Sequence, residues 1–97
     1  MVQVVENRSH VRGRVMNVAP HPTMDGYAVV DLALSDVAPV SGYANLFGQE
    51  TGKVVSVNVP LEEARSHGLT AGDELSARIR RAGPQAVFAE RASLAKG

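Results

Sequence analysis

The segment from Val54 to Arg80, VVSVNVPLEEARSHGLTAGDELSARIR, constrains the fold of this chain more than any other. Val55, Val57 and Val59 alternate with Val54, Ser56 and Asn58, and a period of two rich in β-branched residues marks a half-buried strand. Pro60 suits the first position of a helix, where no backbone N–H is needed. Glu62 and Glu63 follow in the first turn, where carboxylates complement the helix dipole. His67 and Gly68 end the helix, with Gly68 free to take the left-handed cap. A helix over 60–67 is too short to stand alone in water, so Leu61, Ala64 and Leu69 are expected to pack on a sheet. Thr70-Ala71-Gly72-Asp73 then makes a tight turn with glycine in the third position. Beyond it Leu75, Ala77 and Ile79 face inward, and Ser76, Arg78 and Arg80 outward. Strand, short helix, glycine corner and strand are the grammar of a small β-barrel with a helical plug.

The flanking sequence extends that grammar. From His10 to Val18, Val11, Gly13 and Val15 share one face and Arg12, Arg14 and Met16 the other, with Gly13 leaving room for a bend. Residues 19–26 hold two prolines and an Asp-Gly pair and read as a loop. A second strand runs from Tyr27 to Leu34 with Ala28, Val30, Leu32 and Leu34 toward the core. Residues 35–42 are expected to be a loop, Tyr43 to Phe47 a short strand, and 48–52 a turn. Gly83-Pro84 breaks the strand after Arg80, and 86–90 forms a last strand with Val87 inward. The tail, 91–97, is expected to be frayed or weakly helical. The chain therefore reads as one all-β domain over 1–97, a small barrel of five to six strands with one short helix.

Composition narrows the function classes. Ninety-seven residues give a modest core, so self-association would help the domain. Ten basic and ten acidic side chains cancel, which weighs against duplex DNA binding driven by overall charge and leaves room for a local patch. With no cysteine there is no disulfide framework and no thiolate zinc site. No apolar run approaches the ~20 residues that span a bilayer, so membrane insertion is not expected. Residues 1–6 lack the basic start and apolar stretch of a signal peptide, and a cytoplasmic location is the expectation.

Four outward arginines carry the strongest functional signal. Arg12 and Arg14 form one pair spaced by two, and Arg78 and Arg80 another. If their strands are neighbours, the four make a cationic patch that Arg8 and Arg81 could join. Guanidinium forks suit phosphates and other oxyanions. The plainer reading is a solvated face with arginines paired to Asp31, Asp73 or Glu74. The aromatics are few: Tyr27, Tyr43, Phe47 and Phe88. They serve either as core or as stacking platforms beside the arginines.

Catalytic and metal chemistry find no pattern. His10, His21 and His67 lack ligand spacing, and no metal or other cofactor is expected. The run 48–53 imitates a phosphate loop, but Val54 stands where a hydroxyl is required and a strand follows instead of a helix. Ser9, Ser35 and Ser66 have no general base with an orienting carboxylate, so no catalytic residue and no enzyme activity are expected.

Pro60-Leu61-Glu62-Glu63-Ala64, His67-Gly68-Leu69, Ala71-Gly72-Asp73-Glu74-Leu75 and Ala77-Arg78-Ile79 together resemble the TOBE module. That family includes molbindins and the C-terminal barrels of molybdate and sulfate importer ATPases. The opening Arg8-Ser9-His10-Val11-Arg12-Gly13-Arg14-Val15 is similar to the first molbindin strand. The resemblance implies an OB/TOBE-like barrel, often self-associating, with oxyanions held at subunit contacts. By position it implies ligand roles for Arg8, Ser9 and His10, for Ser56, and for the loop at Arg81, Ala82 and Gly83. Molbindins carry lysine and then a hydroxyl residue where this chain has Arg81-Ala82.

Three expectations follow. The first is non-catalytic binding of a small oxyanion such as molybdate or sulfate, or a regulatory role beside an ABC-transporter, through Arg8, Ser9, His10, Ser56 and Arg81. The second is binding of single-stranded nucleic acid through Arg12, Arg14, Arg78 and Arg80 with Tyr27 or Tyr43. The third is a protein-interaction module that pairs an exposed strand edge with a partner, and a homo-oligomer is a further possible assembly.

Overall fold

The computed structural model describes residues 6–84 and 86–97. Residues 1–5 and 85 lie outside the described residues, and with them most of the stretch read for a signal peptide. Six strands and one helix follow in the order β1 (Ser9–Pro20), β2 (Tyr27–Pro39), β3 (Val54–Pro60), α1 (Leu61–Ser66), β4 (Glu74–Gly83), β5 (Ala86–Ala89) and β6 (Ala95–Lys96). Neighbours run β1-β2-β3-β5-β4, and β1 also pairs with β4, so the sheet closes into a ring. The domain is all-β, a small OB-type barrel with the helix between β3 and β4. All pairings are antiparallel except β3 with β5, which meet where Asn58 lies opposite Phe88.

Period two builds the core. Val11 and Val15 from β1, Ala28, Val30, Leu32 and Leu34 from β2, Val57 and Val59 from β3, Leu75, Ala77 and Ile79 from β4, and Val87 from β5 are all buried. The alternate positions face solvent, which is what fixes the register of a one-sided sheet. β1 slips register between Arg12 and Gly13 and again between Val15 and Asn17. Such bulges bend a strand and tighten its twist, as a small ring requires. Gly13 sits at the first of them because a Cβ there would collide with the Ala33 carbonyl oxygen.

α1 caps one end of the ring with Ala64, and the corner after it adds Leu69. Gly68 takes φ +59 and Gly72 φ +98, so the expected left-handed cap and turn are both present. The Gly72 N–H donates to the Val15 carbonyl at 2.7 Å and anchors this corner on β1. Phe47, fully buried, joins the same core cluster.

Three expectations need correction. Residues 35–39 are strand and not loop, because β1 starts at Ser9 and gives β2 a partner as far as Pro39. In turn 43–47 is no strand. It holds an isolated bridge between Asn7 and Ala44, after which a turn drives Phe47 inward.

The tail is also not frayed. Leu94 is buried, and β6 pairs with β4 at Leu75 and Ser76 on the edge that β5 uses further along. Lys96 Nζ donates to the His67 and Gly68 carbonyls at 3.1 and 3.3 Å, so the tail also satisfies the end of α1. Among the described residues no helix is long and apolar enough to cross a membrane.

Candidate functional site

A row of outward side chains crosses β2, β5 and β4 and reaches the residue before β1. Inward Ala28 places Tyr27 outside, inward Ile79 does the same for Arg80, and inward Val87 and Ala89 do so for Phe88. Buried Ser9 likewise turns Arg8 outward. Register brings them together: Tyr27 lies opposite Pro60, Asn58 opposite Phe88, and Phe88 opposite Arg80. They line a predominantly polar surface cleft of about 390 Å³ with Glu90 and Arg91. That volume suits a small ligand or one unit of a polymer.

Rings and guanidiniums share this cleft. Tyr27 and Phe88 pack edge to face with centroids 5.8 Å apart. The Arg80 guanidinium lies over Phe88 at 5.5 Å, and that of Arg8 over Tyr43 at 4.5 Å. Glu90 receives two cations: Arg8 at 2.6 Å on one oxygen and Arg78 at 3.2 Å on the other. Arg91 is held by Glu62 at 2.7 Å. The hydrogen bond and the charge of Glu62 raise the Arg91 pKa. Arg80 has no carboxylate partner among the described residues.

The outward arginines do gather on one side. β1 and β4 are neighbours, with His10 opposite Arg78, Arg12 opposite Ser76 and Arg14 opposite Glu74. The row is not purely cationic. Arg14 faces Glu74 at 3.8 Å, and Arg12 donates to the Gly97 carbonyl at 2.7 Å. Asp31 and Asp73 are engaged elsewhere, Asp31 with Ser56 at 2.7 Å and Asp73 with Lys96 at 3.4 Å. Glu90 takes the place the sequence reading gave to those two aspartates.

The five residues expected to hold an oxyanion do not converge. Ser9 is fully buried and donates to Asn45 Oδ1 at 2.5 Å, so it is a core residue instead of a ligand donor. His10 is exposed on the β1–β4 face, and Arg8 belongs to the aromatic cleft. Ser56 and Arg81 share a second cleft of about 340 Å³, where Glu50 joins them. Arg81 is drawn over Phe47 at 4.9 Å and donates to the Pro84 carbonyl at 3.1 Å.

Sequence reasoning missed Glu90 and Arg91. Extending the alternation of Val87 and Ala89 by one residue would have put Glu90 on the face of Arg78 and Arg80. Arg91 lay in the segment taken for a loose tail. Among the described residues no three His, Asp or Glu side chains come close enough together to hold a metal ion.

Comparison with family models, curated proteins and solved structures returns no match. The chemistry of the cleft is the ground for a functional reading.

Proposed function

We propose that this barrel binds single-stranded nucleic acid without covalent chemistry. One nucleotide would occupy the cleft formed by Tyr27, Phe88 and Arg80, and neighbouring phosphates would run over Arg78 and Arg12. The observation that carries this reading is a pair of touching aromatic rings bordered by guanidiniums on the outer face of a closed barrel. Base stacking and phosphate neutralisation need those two groups side by side. Zero net charge is no obstacle, because affinity follows the local field and not the total.

A small-oxyanion reading has a narrower footing. It rests on the TOBE resemblance and on the cleft that Ser56 and Arg81 share. Glu50 lines that cleft and Asp31 accepts from Ser56, and both carboxylates oppose an anion.

The test is fluorescence anisotropy with a labelled oligothymidylate of about 12 nucleotides, within the span an OB barrel covers. Binding is expected at ~50 mM salt, with steep release as salt rises. No binding at that salt would remove the proposal. A melting temperature raised by millimolar molybdate or sulfate, without oligonucleotide binding, would put the oxyanion reading in its place.

A further inference from the structure

We infer that Glu90 makes the cleft select ligands that carry a stacking ring as well as a phosphate, and reject bare oxyanions. This rests on the nucleic-acid reading and specifies its ligand class. The Glu90 side chain is 15% exposed and meets both Arg8 and Arg78, one through each oxygen. Its backbone is fixed across from Arg78: the Glu90 N–H donates to the Arg78 carbonyl at 2.8 Å, and Ser93 Oγ donates to the Glu90 carbonyl at 2.7 Å. The carboxylate is therefore a tethered anion already seated on the guanidiniums that a phosphate would seek.

A tethered competitor acts at a high effective concentration. Free phosphate or sulfate offers the two arginines nothing that Glu90 does not, and gains nothing by replacing it. A nucleotide adds contact with Tyr27 and Phe88, which lie in the same cleft and which Glu90 cannot use. Stacking there offsets the cost of loosening the ion pairs. Arg80, over Phe88 and with no carboxylate partner among the described residues, adds a further contact for a nucleotide whose base is stacked there and whose phosphate has reached Arg8 and Arg78.

Glu90→Gln keeps the shape and removes the charge. It is expected to bind the labelled oligothymidylate about fivefold more tightly, the equivalent of ~1 kcal/mol. It is also expected to gain a rise in melting temperature with inorganic phosphate that the parent protein lacks. Glu90→Asp retains the charge on a shorter arm and should tighten binding less. It decides the matter if the Gln variant shows no cooperative melt by circular dichroism.

If the parent binds the oligonucleotide and neither variant binds more tightly, the gate is wrong while the nucleic-acid reading stands. Stabilisation of the parent by inorganic phosphate also overturns the gate. If neither parent nor variants bind the oligonucleotide, both ideas fall together. Binding by Glu90→Gln alone supports both, with the parent cleft closed by its own carboxylate.

Discussion

Tyr27 and Phe88 meet edge to face, with centroids 5.8 Å apart and planes inclined by 81°. Their strands, β2 and β5, do not pair; β3 lies between them and touches Tyr27 through Pro60 and Phe88 through Asn58. The aromatic shelf therefore depends on β5 docking beside β3.

If that shelf stacks a base, Phe88→Ala should weaken oligothymidylate binding by about 1–3 kcal/mol, the usual worth of one base–aromatic contact. Phe88→Tyr keeps the ring and should bind like the parent. Anisotropy titrations, with circular dichroism melts to verify folding, check both. Equal affinity for the alanine variant and the parent would exclude a stacking role.

Arg80 lies over Phe88 and, of the three arginines that line the cleft, is the one with no carboxylate partner among the described residues, so it is the cleft guanidinium most available to a phosphate. Arg80→Gln should lower the slope of log affinity against log salt by about 0.7, the share of one single-strand phosphate. Lys53→Gln should leave the slope unchanged, since Lys53 pairs with Glu50 away from the cleft. Equal slopes for parent and Arg80→Gln would remove Arg80 from the interface.

The core was legible because it obeys one local rule. Val11, Val15, Val30, Leu32, Val57, Leu75 and Ile79 sit at alternate positions of strands with one face inside, and all are buried. The corner was legible because Gly68 and Gly72 adopt φ values that other residues avoid. Ser35 and Asp36 hid the last part of β2, since a strand that runs past the core no longer needs apolar side chains. A two-residue strand like β6 is too short to show any period, and Leu94 holds the tail by long-range packing. The outward arginines were readable in pairs. The carboxylate joining Arg8 to Arg78 was not, because its position depends on how β4, β5 and the start of β1 are arranged in space.

Gly13 is sterically required. A methyl group there meets the Ala33 backbone carbonyl and comes to 3.0 Å from Leu32 Cγ. Backbone cannot move aside as a flexible side chain can, so Gly13→Ala should destabilise by about 2–3 kcal/mol. Urea unfolding should show the midpoint falling with the m-value unchanged. A loss under ~0.5 kcal/mol would mean that the bulge between Arg12 and Gly13 is soft.

Leu94 pins the tail by inserting into the main core cluster. Leu94→Ala should cost about 2–4 kcal/mol if the site cannot collapse. Exchange of the Gly97 amide, which donates to the Glu74 carbonyl at 2.9 Å, should accelerate with it. Unchanged stability and unchanged exchange would return the tail to the frayed state expected from its sequence.

Asp73 links the glycine corner to the tail and gives a pH dependence of definite sign. Its carboxylate accepts the Thr70 N–H at 2.8 Å and faces Lys96 Nζ at 3.4 Å. The Thr70 hydrogen bond, assisted by the Lys96 charge and opposed by desolvation, holds its pKa below the usual carboxylate value. As pH falls, the unfolded chain therefore takes up this proton before the folded one does. The stabilisation is fully present above the unfolded pKa of about 3.9 and is lost as pH drops through the lower folded value. Asp73→Asn should melt below the parent by a constant margin between about pH 7 and 5, and that margin should narrow below about pH 4. Melting curves of the two proteins across that range decide it, since titration of every other carboxylate is common to both. A margin that stayed level or grew on acidification would show that Asp73 carries no stabilising charge.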